Sequence, residues 1–149
     1  MRSGIYFFCE DITFRPPPVK STRAWLIEVA RCENRTIGGL NYIFCSDPYL
    51  LKINREYLNH DTLTDIITFD NSESGNVIEG DVYISIDRVR ENAELFKVLF
   101  YKELNRIMVH GLLHLLGYKD KSVHQKRMMR KKESSYLSLK ENMERNRST

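Results

Sequence analysis

The sequence predicts a single α+β domain in which one mixed sheet of about four strands is packed with helices. Short segments typical of strands alternate with amphipathic patterns typical of helices, and the chain ends in a helical run. The length of 149 residues and a hydrophobic content of 42% suit one domain with a real core. Because no apolar run approaches the roughly 20 residues that span a bilayer, we expect no membrane association.

The predicted strands are four segments rich in β-branched and aromatic residues, bounded by turn-forming residues. They comprise residues 5–8, 40–45, 64–69 and 81–86. A polar, glycine-containing loop over residues 71–80 joins the last two strands.

The first two predicted helices begin at residues that favour helix N-termini. Ser21 or Thr22 can cap the first helix, and the Gly38–Gly39 pair is expected to end it. The Ser-Asp-Pro tripeptide at positions 46–48 begins the second, because it places a capping side chain before a proline in the first turn.

Helical patterns fill most of the second half of the chain. Asp87 is expected to cap a third helix. Residues 100–116 are apolar almost all round and predict a buried central helix. A polar, basic helix is expected to end near Lys140, so we predict a domain over residues 1–141 and a frayed basic tail over residues 142–149.

The three cysteines argue against a cysteine-based framework. Cys9, Cys32 and Cys45 are odd in number, widely spaced and without a CxxC pair. We therefore do not expect a disulfide scaffold or a cysteine zinc site. We expect three buried thiols in a protein of the reducing cytoplasm.

Positive charge is concentrated at the end of the chain. Residues 1–118 contain 13 Lys/Arg and 16 Asp/Glu, whereas residues 119–149 contain 10 and 4. This asymmetry predicts a polyanionic partner, RNA above all, although a solvated basic helix face gives the same pattern. The residues expected to contact RNA are Lys119, Lys121, Lys126, Arg127, Arg130 and Lys131.

A metal site is predicted at the end of the central helix. His110 and His114 are four residues apart and share a helix face, so both imidazoles can reach one Zn²⁺. Gly117 can break the helix and bring Asp120 back as an oxygen ligand, which leaves a fourth position for water. Paired histidines also occur without a metal, but imidazoles buried in an apolar helix require polar partners. His124 is an alternative third ligand.

The histidine pattern HxxxHxxGxxD is similar to that of zinc peptidases of the metzincin type. In H-E-x-x-H peptidases a catalytic glutamate follows the first histidine, whereas this chain has Gly111 there. This difference argues against a peptidase.

The segment HGLLHLLGYKD, at positions 110–120, resembles the signature of the YbeY family of rRNA-maturation factors. The resemblance extends over residues 40–133 in the expected order. It includes TDIITF at positions 64–69 and GDVYIS at positions 80–85, together with Asn54, Tyr57, Glu103, Leu104, Met129 and Glu133.

The resemblance implies a zincin-like fold around a central metal-binding helix, with one zinc ion as the cofactor. It further implies a metal-dependent, single-strand-directed endoribonuclease that acts in rRNA maturation and ribosome biogenesis. Attack on the phosphodiester by water or by the RNA 2′-hydroxyl is left open. Expected partners are rRNA and, through the family, ribosomal proteins or a ribosome-assembly GTPase.

The chain departs from the family pattern at two positions. Asp120 stands where the family has a third histidine, and Leu58 stands where the family has an arginine associated with activity. Arg55, one turn earlier, is a candidate phosphate contact or an ordinary exposed arginine. Asp65, the second candidate catalytic residue, and Asp81 are expected either to support the site or to cap strand ends.

These departures leave two alternative functions. The first is a metal-stabilised RNA- or ribosome-binding assembly factor without nuclease activity, which the absence of the family arginine favours. The second is a zinc peptidase, which Gly111 disfavours.

Overall fold

The computed structural model describes residues 4–58 and 64–147. Over these residues the chain forms four strands and five helices, in the order β1 (Gly4–Cys9), α1 (Val19–Cys32), β2 (Thr36–Cys45), α2 (Asp47–Leu58), β3 (Ile66–Asp70), β4 (Val77–Ser85), α3 (Ile86–Phe96), α4 (Phe100–Leu115) and α5 (Val123–Arg147). The predicted α+β class is confirmed.

The strands form one mixed sheet in the order β1-β2-β4-β3. β1 and β4 both pair with β2 in parallel, and β3 pairs with β4 in antiparallel orientation. In β4 every second residue is buried, as expected for a strand with one face on the core. The predicted mixed sheet of four strands is therefore confirmed.

The most apolar helix, α4, lies across β3 and β4 and is central to the core. Its buried residues include Leu104, Ile107 and Leu112. The hydroxyl of Tyr42 in β2 donates to the carbonyl of Met108 at 2.8 Å, which fixes α4 on the sheet. The predicted buried central helix is confirmed.

The two glycines that were expected to end the first helix lie inside β2 instead. α1 already ends at Cys32, and Asn34 adopts a positive φ of 62° in the turn that follows. At Gly38 a Cβ atom would lie 2.7 Å from Cγ1 of Val77, beside an irregularity in the β2–β4 register. Gly38 therefore permits close strand contact rather than helix termination.

The expected helix caps at the first and third helices are wrong. α1 begins after Pro18 without a side-chain cap. α3 is capped by Ser85, whose hydroxyl accepts from the amide of Arg88 at 3.2 Å. Asp87 instead accepts from the amide of Asp47, linking α3 to α2.

Two other boundaries differ from the prediction. β4 starts at Val77, because Val77 and Ile78 pair with β2. The basic helix α5 continues to Arg147, where a frayed tail from residue 142 was expected. Met143 packs against the core and gives these last turns an apolar contact. Residues 148 and 149 lie outside the described part of the chain.

The cysteines are all free, but only one is buried. Cys45 lies in the core, whereas Cys9 and Cys32 are exposed, so the expectation of three buried thiols is wrong. Among the described helices, none combines the length and the apolar character needed to cross a membrane.

Candidate metal centre

The turn after α4 is built around a glycine with a positive φ. Gly117 has φ of 108°, and its amide donates to the carbonyl of His114 at 3.0 Å. The amide of Tyr118 donates to the carbonyl of Leu113 at 3.0 Å. These two bonds form a Schellman motif, which ends the helix and reverses the chain. The predicted helix break is confirmed, and it carries Asp120 back to α4.

Three side chains meet where this turn crosses α4. Nε2 of His110 and Nε2 of His114 are 3.1 Å apart, and Oδ2 of Asp120 lies 3.4 Å from each. In a tetrahedral zinc site with ligands at about 2.0–2.1 Å, neighbouring ligand atoms are about 3.3–3.4 Å apart. The triangle therefore has the size of one face of a zinc coordination tetrahedron, and these residues can hold a metal ion.

A carboxylate on α5 orients the first histidine. Nδ1 of His110 lies 2.6 Å from Oε2 of the buried Glu133. With its proton on Nδ1, the imidazole donates to this carboxylate and turns the lone pair of Nε2 towards Asp120 and His114. This arrangement is typical of metal-binding histidines, whose outer nitrogen donates to a carboxylate or carbonyl group.

Glu133 belongs to a charged cluster that continues along α4. Nη1 of Arg106 lies 3.0 Å from Glu133, and Nη2 lies 2.6 Å from the buried Glu103. Burial raises the pKa of Glu133, whereas its contacts with His110 and Arg106 lower it. Together these contacts outweigh burial, so the pKa lies below its ordinary value. The carboxylate is therefore held charged against His110.

The second histidine is held in its neutral form, which is the form that binds metals. Burial lowers the pKa of His114, as does the neighbouring His110, and the opposing influence of Asp120 is smaller.

A cavity of about 300 Å³ opens beside the cluster and holds two of the predicted RNA-binding residues. It is lined by Arg106, His110, Asp120, Lys126, Met129, Arg130 and Glu133. The other four predicted RNA-binding residues are exposed but outside this lining: Lys119, Lys121, Arg127 and Lys131. His124 is exposed on α5 and is not in the ligand cluster, where Asp120 lies instead.

Neither candidate catalytic residue lines the cavity, but their surroundings differ. Asp65 comes just before β3. Burial raises the pKa of its carboxyl group, and the charges of His110 and Arg106 lower that pKa by a smaller amount. Arg55 is exposed on α2, which contributes no residue to the lining of the cavity. Leu58 is also exposed, at the end of α2.

Asp81 does not cap a strand end. It lies in the middle of β4, because that strand begins four residues earlier than predicted. Its carboxylate accepts from the side-chain amides of Asn41 at 3.0 Å and Asn71 at 3.4 Å. The neighbouring Val82 faces α4, so Asp81 points to the opposite face of the sheet.

Sequence reasoning did not find Arg106 or the orienting role of Glu133. A signal was present, because Glu103 and Arg106 are charged residues at i, i+3 spacing within the most apolar helix of the chain. Buried charges require partners. The identity of those partners depends on how α5 docks, and the sequence does not specify this.

Comparison with known proteins identifies the family. The family model described as Endoribonuclease YbeY matches residues 18–140. This chain belongs to the YbeY family. Endoribonuclease YbeY of Cytophaga hutchinsonii is 54% identical over 136 residues, covering 91% of this chain and 95% of the relative. That of Flavobacterium psychrophilum is 58% identical over 132 residues, covering 89% and 94%.

The fold is also similar to a solved structure. The solution structure of the Thermotoga maritima protein TM1509 superimposes with a TM-score of 0.66 at 26% sequence identity. The match covers 96% of this chain and 93% of that protein. The YbeY resemblance seen in the HGLLHLLGYKD segment is thus confirmed for family and fold, and family membership supports an endoribonuclease role.

Proposed function

We propose that this protein is a zinc-dependent endoribonuclease that cuts single-stranded segments of ribosomal RNA during ribosome biogenesis. The observation that carries the proposal is the triangle of Nε2 atoms of His110 and His114 with Oδ2 of Asp120, open to a cavity with basic residues. The names of the curated YbeY relatives give the reaction class.

The donor set supports one zinc ion as the cofactor. Two imidazole nitrogens and one carboxylate oxygen are the ligand types of catalytic zinc sites, which keep a fourth position open. When bound there, zinc supplies Lewis acidity that lowers the pKa of a coordinated water and polarises a phosphoryl oxygen. Glu133 orients His110 for this ion.

The basic residues of the cavity are suited to the RNA backbone. Lys126 and Arg130 extend from α5 into the cavity beside His110, where they can neutralise phosphates next to the cleaved bond. The charge of the same histidine acts on the carboxyl group of Asp65, and we assign to this group the acceptance of a proton from the attacking oxygen. That oxygen belongs either to water or to the RNA 2′-hydroxyl.

A cleavage assay with defined RNA tests this function. Zinc-loaded protein is incubated with a single-stranded rRNA segment and with the same segment annealed to its complement. We expect internal cleavage of the single strand, and loss of cleavage in His110→Ala and His114→Ala but not in the matched control His124→Ala. A 2′,3′-cyclic phosphate at the new end identifies attack by the 2′-hydroxyl. Cleavage that survives in both ligand variants contradicts the proposal.

A second candidate function is a metal-stabilised assembly factor that binds RNA without cutting it. Leu58 favours it, because this residue replaces the family arginine and Arg55 does not line the cavity. Its partners would be rRNA together with ribosomal proteins or a ribosome-assembly GTPase. RNA binding that depends on zinc, without any cleavage, is the result that selects this function.

A peptidase is disfavoured by packing as well as by residue type. A Cβ atom at Gly111 would lie 2.8 Å from Cγ1 of Val82 and 3.0 Å from Cδ1 of Ile66. The position that carries the catalytic glutamate in H-E-x-x-H peptidases therefore faces the sheet here.

Two exposed free cysteines suit a reducing compartment, and we propose the cytoplasm as the site of action.

A further inference from the structure

We propose that Glu33, at the C-terminal end of α1, is a positioning residue for the metal centre. Its carboxylate holds in place the turn that delivers Asp120 to the two histidines. The inference rests on the proposed metal site and names a residue outside the ligand set that determines its geometry.

Three donors from two segments converge on this carboxylate. The hydroxyl of Tyr118 donates to Oε1 of Glu33 at 2.7 Å. Nζ of Lys132 donates to Oε2 at 3.1 Å, and the hydroxyl of Tyr136 donates to the same oxygen. Both oxygens of Glu33 are thus engaged, one by the turn after α4 and the other by α5.

The segment that carries Asp120 needs such an anchor. Between the end of α4 and the start of α5 at Val123 the chain has no regular secondary structure. The amide of Tyr118 is fixed by the Schellman motif, and the hydroxyl of the same residue is fixed by Glu33. Asp120 follows two residues later, so these two bonds determine where its carboxylate can reach.

Glu33 is itself held in place by α1, which is fixed in the core. Glu33 caps α1, where its amide donates to the carbonyl of Ala30 at 3.0 Å. Trp25 and Val29 of α1 are fully buried in the core. Two residues beyond Glu33, the guanidinium of Arg35 donates to the carbonyl of Leu116 at 3.4 Å, a second contact between this connection and the metal-binding turn.

The carboxylate of Glu33 also connects the turn after α4 to the part of α5 that carries Glu133. Lys132 is adjacent in sequence to Glu133, which bonds Nδ1 of His110. Through Tyr118 and Lys132, Glu33 therefore fixes the turn of the third ligand against the helix that orients the first ligand. Burial raises the pKa of Glu33, but hydrogen bonds from Tyr118, Tyr136 and Lys132 lower it overall, so the carboxylate is charged at neutral pH.

Zinc affinity measured by competition with a chromogenic chelator tests the inference. We expect Glu33→Gln to bind zinc about 10- to 100-fold more weakly, the range seen when a group that orients a ligand is changed. The matched control is Glu28→Gln, which lies on the same helix and removes a carboxylate paired with Arg31. The control is expected to keep wild-type affinity, and equal losses in both variants overturn the inference.

A double-mutant cycle separates positioning from general destabilisation. If Glu33 acts through Asp120, then Glu33→Gln costs no further affinity when Asp120 is already alanine. An equal loss in the Asp120→Ala background overturns the inference. If Glu33→Gln does not fold, Tyr118→Phe replaces it in the cycle, because it removes one hydroxyl and keeps the ring. An unchanged zinc affinity in Tyr118→Phe overturns the inference as well.

The zinc titration of the wild-type protein distinguishes failure of the metal site from failure of the positioning role. A wild-type protein that binds no zinc refutes the proposed metal centre and, with it, this inference. A wild-type protein that binds zinc, together with a Glu33→Gln variant of equal affinity, refutes the positioning role alone.

Discussion

Nδ1 of His110 lies 2.6 Å from Oε2 of Glu133, so a residue of α5 orients a candidate metal ligand of α4. Glu133 is buried and His110 is partly buried, and Arg106 contacts the other oxygen of Glu133 at 3.0 Å. The docking of the basic helix and the geometry of the candidate metal centre are therefore parts of one arrangement, and changes in α5 are expected to be measurable at the metal.

Glu133→Gln is expected to lower zinc affinity by about 10- to 100-fold, because the amide gives His110 a weaker acceptor than the carboxylate. Glu141→Gln is the matched control, since Glu141 is an exposed carboxylate on the same helix. Chelator competition measures both variants. Equal affinities for Glu133→Gln and wild type would show that this contact does not support the metal.

The third ligand is tested by comparing two variants. Asp120→Ala is expected to lose more than about 100-fold in zinc affinity, since it removes a ligand rather than the partner of a ligand. His124→Ala is expected to bind zinc as wild type does, because His124 lies outside the cluster. Metal content after dialysis against a weak chelator measures the difference, and the reverse result would make His124 the ligand.

The contribution of the basic helix is tested through the salt dependence of RNA affinity. Lys126→Ala with Arg130→Ala is expected to reduce the slope of log K against log salt by about 1.4, since each phosphate contact on a single strand contributes about 0.7. Arg127→Ala with Lys131→Ala removes the same charge outside the cavity lining.

The second pair is expected to change the slope by less than the first, as measured by fluorescence anisotropy with a labelled single strand. Equal changes would show that RNA responds to the total charge of α5 and not to the cavity. No change in either variant would make α5 a solvated basic face.

The stability of the fold is expected to depend on pH through Glu33. Its folded-state pKa is lowered from the ordinary value of 4.5, so its ionised form stabilises the folded state above that pH. This contribution is lost as the pH falls through the lowered pKa.

Urea unfolding of wild type and Glu33→Gln at a series of pH values measures this contribution. Wild type is expected to be the more stable protein at neutral pH, and the two free energies of unfolding are expected to converge in acid. A difference that stays constant over the whole range would show that ionisation of Glu33 does not stabilise the fold.

The sequence by itself determined the class of the fold and the residues of the candidate metal cluster. Local composition located the four strands of the described residues and the central helix, because residues that pack into a sheet or are buried on every side differ in type from those of turns and exposed helices. His110, His114, Gly117 and Asp120 lie within eleven residues of one another, so local helix and turn geometry was sufficient to bring them together.

The tertiary structure decided which distant residues support that site. Glu33 and Glu133 reach it from α1 and α5, and nothing local to either residue specifies its partner. Gly38 was predicted to end a helix but lies in β2. Its close contact with Val77 outweighs the local tendency of glycine to end helices. Contacts between residues far apart in the chain depend on how the helices and strands pack. The sequence pattern predicts that one face of an element is buried, but it does not identify the residues that cover that face.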